Sequence, residues 1–245
     1  MNYLCTLRFV GTAYHGSQIQ ANAHTIQAQF QQSLAEVVGE SPDVKCCSRT
    51  DSGVHANRYC ISFHSGCGMD PRRFVIALNT KLPHDIRAIE CRIVPEDFHA
   101  RYDALRKRYL YRVWNERIMD PFLYGRAMQF IPPIDADALH ETAQVFVGTH
   151  DFAAMCGAKS KVESTVRTVY DFSVSRKGSE VQFTVSADGF LYHMVRIMVG
   201  TLLNAARGKL DKGSILKILE SGQRVNLCAT APAEGLYLDE VIYPE

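Results

Sequence analysis

The chain has 245 residues, 47% of them hydrophobic and 22% charged, and a formal net charge of +1. That supplies a sizeable core in one large domain or two small ones. It excludes a global basic field, so a nucleic-acid partner has to be held by local patches. No apolar run is long enough to span a bilayer. Met1–Arg8 lacks the basic segment and apolar core of a signal peptide, so a cytoplasmic protein is expected. The eight cysteines are scattered without a Cys-x-x-Cys, and His55, His64 and His99 are not grouped with them at ligand spacing. Reduced, mostly buried thiols are expected, with no disulfide, no metal site and no cofactor.

Leu4, Leu7, Phe9 and Val10 predict a strand that ends at Gly11-Thr12. Residues 11–20 form a loop rich in Gly, His, Ser and Gln. Thr25 is suited to cap a helix whose apolar stripe is Ile26, Phe30, Leu34 and Val37, and Gly39 ends it. A short lead at Asp43–Cys46 precedes Cys47-Ser48-Arg49-Thr50-Asp51-Ser52-Gly53-Val54-His55-Ala56, and a strand-like run follows at Tyr59–Phe63. Asp51 is therefore expected in a loop between two strands, with Gly53 at a tight bend. Asp70-Pro71 opens a second helix with Phe74, Ala77 and Leu78 on one face. Residues 79–85 read as a turn and Ile86–Val94 as a strand. The order strand, helix, strand, strand, helix, strand indicates α+β rather than a doubly wound parallel sheet.

From Phe98 to Trp114 basic and aromatic residues interleave with a partial period of two. On a strand, Arg101, Lys107 and Tyr109 share one face. Cations and rings on one surface suit RNA, and an ordinary solvated strand carries the same pattern. Residues 115–124 are a connection. Ile134, Asp135 and Leu139 form a hydrophobic staple around a helix cap, and that helix is expected to run through Phe146 to Gly148. Residues 149–152 read as a short turn or helix. Residues 158–164, with Lys159 and Lys161, read as a solvated loop. Val166–Val174 and Val181–Val185 alternate across a hairpin turn at Arg176–Ser179. Phe190–Leu203 is the most apolar helix of the chain, with Arg196 deep within it. A buried guanidinium is costly without an anionic partner, so Arg196 either pairs with a carboxylate or snorkels to a surface. Gly213–Leu219 reads as a helix, Arg224–Pro232 as a loop and Leu236–Tyr243 as a strand.

Thr50-Asp51-Ser52-Gly53 has the form of an aspartic-protease loop, but no second Asp-Ser/Thr-Gly supplies the other carboxylate. Residues 11–17 have the outer glycines of a phosphate loop without its lysine. Taken alone, the Asp51 stretch is an Asx-turn. Four stretches together are more specific. These are Gly-Thr-x-Tyr-x-Gly-x-Gln-x-Gln from Gly11, Arg-Thr-Asp-x-Gly-Val-His-Ala from Arg49, Phe-His-Ala-Arg-Tyr…Lys-Arg-Tyr-x-Tyr from Phe98, and Gly-Phe-Leu-Tyr-His-Met-Val-Arg from Gly189. Ala229–Leu238 closes the series. In this order they resemble the tRNA pseudouridine synthase A family over nearly the whole chain. The first stretch departs from the family form, with Phe9-Val10 in place of Tyr-Asp and Ser17 in place of Trp.

The resemblance implies conversion of uridine to pseudouridine at positions 38, 39 and 40 of the tRNA anticodon stem-loop. It implies Asp51 as the catalytic nucleophile, Arg196 as its partner and Tyr109 as the active-site tyrosine. A tyrosine is a weak base near neutral pH, so stacking on the target base is its expected role. Arg49, Arg101, Lys107 and Leu236 are the implied substrate-binding residues. The implied fold is two ferredoxin-like α+β halves, residues 1–100 and 101–245, around a continuous, mostly antiparallel sheet with a central RNA-binding cleft. A homodimer acting on tRNA is implied, with no DNA or membrane partner. A catalytically silent RNA-binding protein of the same fold, or the same chemistry on another RNA, is the alternative.

Overall fold

Most strands and helices follow from the apolar periodicity and capping residues of their own stretch, and together they make a mixed α/β chain. A computed structural model describes residues 1–158 and 162–244. Lys159 and Lys161 of the expected loop lie outside the described residues. In chain order the elements are β1 (Asn2–Phe9), α1 (Ile26–Val38), β2 (Val44–Cys46), β3 (His55–His64), α2 (Pro71–Lys81), β4 (Ile86–Val94) and β5 (Arg106–Trp114). There follow β6 (Met128–Gln129), α3 (Ala136–Ala143), β7 (Gly148–Asp151), β8 (Val166–Lys177), β9 (Glu180–Ala187), α4 (Met194–Ala206), α5 (Lys212–Ser221) and β10 (Leu236–Ile242). Two compact units result: Met1–Leu105 with the chain from Tyr237 on, and Arg106–Leu236.

In the first unit β1 lies between β4 and β3, antiparallel to both, and β2 adds antiparallel to β3. β10 joins β3 in parallel, with Tyr237 opposite His55 and Leu238 opposite Ala56. Three side-chain and backbone bonds hold this return: Asn57 Nδ2 to Asp239 Oδ1 at 2.8 Å, Tyr243 Oη to the Ala100 carbonyl at 2.7 Å, and the Leu105 amide to the Ile242 carbonyl at 2.9 Å. Thr25 caps α1 and Asp70 caps α2, whose first residue is Pro71. Their apolar faces meet the sheet in an aromatic cluster. Phe63 lies 6.0 Å from Phe30 and 5.6 Å from Phe74, and Tyr3 packs against both Phe63 and Phe74. α2 runs to Lys81, past the start of the turn expected at 79–85. The side chain of Asn79 accounts for this, because it bonds both backbone groups of Ala88 on β4 and keeps the last helical turn on the sheet.

In the second unit β5, β9, β8 and β7 pair antiparallel in that order, with β6 parallel to β5. Val181, Phe183 and Val185 of β9 and Phe146 are fully buried. Three expectations are corrected here. The strand begins at Arg106, not near Phe98, because residues 99–103 close a turn: the Tyr102 and Asp103 amides donate to the His99 carbonyl, and Asp103 Oδ2 accepts from the His99 amide at 2.7 Å. Arg101 therefore does not share a strand face with Lys107 and Tyr109. The helix capped by Asp135 ends at Ala143, and Gly148–Asp151 is a strand, since the edge of β8 offers it backbone partners. The apolar helix starts at Met194, four residues later than its composition indicates. His193 has a left-handed φ of 62°, and the Met194 amide closes a turn on the Leu191 carbonyl at 3.1 Å.

Candidate active site

The Asp51 turn is built by backbone contacts from residues 11–17. The Val54 amide closes the turn on the Asp51 carbonyl at 3.2 Å, and Gly53 supplies the positive φ of 79° it requires. The Tyr14 carbonyl accepts from both the Gly53 amide and Ser52 Oγ, each at 3.2 Å. Ser17 grips both sides of the Thr50 residue. Its amide donates to the Thr50 carbonyl at 3.2 Å, and its Oγ accepts from the Thr50 amide at 2.8 Å and donates to the Ser48 carbonyl at 3.3 Å. Ser17 is 1% exposed, so each of these bonds is shielded from water. Gly11 has no alternative: a Cβ there would stand 1.9 Å from the Val54 carbonyl oxygen.

Around this backbone the side chains are fixed. The His55 ring is fully buried, accepts at Nδ1 from the Gly11 amide at 3.0 Å, and stacks on Tyr237 with centroids 4.6 Å apart. That bond places the proton on Nε2 and makes His55 a brace. Tyr59, also fully buried, donates to the Ser48 carbonyl at 2.5 Å, and burial pushes its hydroxyl pKa well up. Tyr14 donates to Asp85 Oδ1 at 2.7 Å, and burial, then this bond, raises its pKa as well. Asp51 itself is half-buried. The Thr50 hydroxyl beside it is buried and has no hydrogen-bond partner among the described residues. A carboxylate on a turn whose backbone is held by Tyr14 and Ser17 can serve as a nucleophile or base without reorganisation of that turn.

The second unit carries Tyr109, Tyr111, Arg196 and Leu236. Tyr109 and Tyr111 lie two apart on β5 and share a face. Tyr109 is buried and meets Phe190 edge to face, centroids 5.0 Å apart. Tyr111 donates to the Pro232 carbonyl at 2.7 Å, and its pKa is raised by burial against the opposing pull of the Arg196 charge. Arg196 is half-buried in the first turn of α4 and its Nε donates to the Ala231 carbonyl at 2.8 Å. The Ala231 amide returns a bond to the Arg196 carbonyl at 3.0 Å. One and two turns on, Gly200 sits so close to the Ala229 carbonyl that a Cβ would be 2.1 Å from it, and Asn204 Nδ2 donates to the Leu227 carbonyl at 2.7 Å. One helix face thus carries the 227–232 loop. A cation in the first turn opposes the helix dipole. Leu236 is buried at the start of β10.

Of the other expected residues, Arg49 is exposed on the Asp51 loop, Arg101 is exposed on the 99–103 turn, and Lys107 lies on β5 opposite Ala187. Asp51, Arg49 and Arg101 belong to the first unit, and Lys107, Tyr109, Arg196 and Leu236 to the second. Sequence reasoning missed Tyr14 and Ser17 as the groups that hold the Asp51 turn. The tight glycine spacing of residues 11–16 was the available signal, since it marks a backbone approached closely by another. Among the described residues no helix is long and apolar enough to cross a membrane.

Residues 6–103 and 142–244 match the family model described as tRNA pseudouridine synthase. A protein of Methylacidiphilum infernorum named tRNA pseudouridine synthase A is 40% identical over 245 residues, covering 100% of this chain and 96% of its own. Its namesake in Acetivibrio thermocellus is 41% identical over 242 residues, covering 99% of each chain. The Staphylococcus aureus protein of that name is 38% identical over 246 residues, covering 100% of this chain and 93% of its own. With matches of that extent, the chain belongs to the tRNA pseudouridine synthase family.

Proposed function

We propose that the chain isomerises uridine to pseudouridine at positions 38, 39 and 40 of the tRNA anticodon stem-loop, with Asp51 as nucleophile. The observation that carries this reading is the Asp51 turn, a half-buried carboxylate on a backbone clamped by Tyr14, Ser17 and Gly11. In the reaction the N1–C1′ bond breaks, uracil rotates, and a C5–C1′ bond forms. The proton lost from C5 is balanced by one gained at N1, so nothing enters or leaves overall. Asp51 adds to the substrate and is expelled when the new bond forms. Arg196 pairs with Asp51, favouring the ionised carboxylate and holding it in place. Tyr109 stacks on the target base. A uridine in a stem must leave its neighbours at a cost of a few kcal/mol. Arg49, Arg101 and Lys107 offset that cost at the phosphates, and Leu236 closes the wall of the base site.

In this reading residues 1–100 bring the aspartate and residues 101–245 the tyrosine and arginine, and the protein works in the cytoplasm as a homodimer. Support for the dimer comes from the connection after β5, where Ile118, Phe122 and Tyr124 are 84%, 83% and 81% exposed. Exposed apolar side chains grouped on one connection are compatible with such an interface.

The test is pseudouridine mapping on an unmodified tRNA transcript with uridines at 38, 39 and 40, wild type beside Asp51→Asn, in chelator. Product at those positions from wild type alone is expected. Product from Asp51→Asn, or none from a folded wild type that binds the tRNA, overturns the reading.

A further inference from the structure

Beside the Asp51 turn, the first unit has a depression of about 340 Å³ that does not include Asp51 itself. Its walls are Lys45 on β2, Arg49 on the Asp51 loop, Arg101 and Tyr102 on the 99–103 turn, and Gln18 and Gln27. Its volume falls within the range of about 300–1,000 Å³ typical of small-ligand sites. Of its ten lining residues, which also include Val44, Cys46, Ser48 and His99, three are cations and two are amides. Arg49 and Arg101 form no ion pair among the described residues, and Lys45 pairs with Asp43, which is exposed and does not line the depression. An exposed pair of that kind is weak and easily exchanged for another anion. Tyr102 is 75% exposed, yet its ring is not loose: His99 packs on it with centroids 4.3 Å apart, and the Arg101 guanidinium lies 5.8 Å from its centroid. The His99 ring is in turn tied at Nδ1 to the Arg101 amide at 3.1 Å.

We infer that this depression is a nucleotide subsite: Lys45, Arg49 and Arg101 take a phosphodiester, and the open face of Tyr102 takes an unpaired base. The inference rests on the RNA-modifying reading above and extends it to the strand beside the target. A cluster of cations alone fits any polyanion, but a pre-oriented exposed ring among them adds the stacking platform that single-stranded RNA uses. The two amides match the hydrogen-bonding edge of a base, and the site is too wet and polar for an apolar ligand. Arg49 ties the subsite to the reaction centre. Arg49 is two residues from Asp51, and two residues of extended chain span at most about 7 Å, so the subsite adjoins the proposed reaction centre. Cys46, at the base of the depression, has its pKa pushed up to about 11 by burial, so its thiol stays protonated and adds no competing negative charge.

The experiment measures equilibrium binding of an unmodified tRNA transcript across a series of salt concentrations for wild type, Lys45→Ala, Tyr102→Ala and Tyr102→Phe. A fully paired RNA duplex is run beside it. Tyr102→Ala should weaken tRNA binding about tenfold, with Tyr102→Phe near wild type and the duplex indifferent to both. Lys45→Ala should lower the slope of log K against log salt by about 0.7–0.9, the loss of one phosphate contact. Both side chains are exposed, and melting curves confirm that the variants fold. Unchanged tRNA affinity in Tyr102→Ala with an unchanged salt slope in Lys45→Ala overturns the inference. So does an equal loss on the paired duplex in Tyr102→Ala. Product mapping on the same wild-type sample judges the reaction separately: wild type that makes pseudouridine while these variants bind normally removes the subsite alone, and wild type that binds tRNA without making product removes the proposed reaction alone.

Discussion

The Asp51 turn and the Arg196 surface of α4 are held by opposite means. Around Asp51 the hold is a set of hydrogen bonds to the backbone, from the Tyr14 carbonyl and from the Ser17 amide and hydroxyl, with Gly11 allowing the close approach. On α4 an apolar helix supplies the rigidity, and a single row, Arg196, Gly200 and Asn204, carries the 227–232 loop. A loop with no periodicity has to be fixed by hydrogen bonds it cannot make with itself. A helix face makes its own bonds and needs only one row adapted to its neighbour. The proposed nucleophile sits on the first of these regions and its proposed cation on the helix-held one.

Substitutions can break this comparison in order of size. Asp51→Asn should lower turnover by about 10⁴-fold or more while melting and tRNA binding stay near wild type, because the turn is held by backbone groups that the change leaves alone. A large loss of stability in that variant would show that the carboxylate itself holds the turn. Next come the two close approaches. Gly11→Ala and Gly200→Ala should each cost about 3 kcal/mol or more in denaturant unfolding, since a methyl group meets a carbonyl oxygen that is itself fixed. Either variant melting like wild type shows that its loop moves freely, and the account of that region fails.

Ser17→Ala sharpens the contrast further. It leaves the buried Thr50 amide without its partner, so a loss of about 1–3 kcal/mol is expected, together with a fall in kcat at unchanged KM. An unchanged kcat with the stability loss present separates Ser17 from the reaction and leaves it a structural group only. The smallest effect lies away from both regions. Arg112 holds Glu180 in a two-point pair, Nε to Oε1 at 2.8 Å and Nη2 to Oε2 at 2.6 Å, and this bond chiefly lowers the Glu180 pKa. A lowered folded-state value means that the contribution is present above the ordinary glutamate range and fades as pH falls through it. Glu180→Gln should therefore cost about 1 kcal/mol at pH 7, and the two proteins should converge as the pH falls below the ordinary glutamate range. Curves that stay parallel below that range would mean the pair stabilises nothing.

Local sequence was enough for the elements whose signal is local. Thr25 and Gly39 bracket α1, Asp70-Pro71 opens α2, and Ile86–Val94 and the Arg176–Ser179 hairpin form where their patterns put them. The four ordered motifs likewise carried the family, because spacing along a chain survives without knowledge of its folding. Expectation failed where a specific turn or a distant partner outweighed the periodic pattern. Residues 98–105 alternate like a strand, but Asp103 turns them back on His99. Residues 190–193 are apolar like the helix after them, yet His193 takes a left-handed conformation and α4 waits until Met194. Gly148–Asp151 has no pattern of its own and becomes a strand because β8 presents an edge.

The sequence by itself determined the catalytic-type motifs, the class of fold and the family, since each is written in residue identity at fixed spacing. Only the tertiary structure decided that Ser17 and Tyr14 hold the Asp51 turn, that β10 returns to pair with β3, and that Arg101 and Tyr102 stand beside Lys45 and Arg49. Those are contacts between stretches tens to nearly two hundred residues apart. They depend on which backbone groups remain unpaired once the local elements have formed, and no local pattern records that.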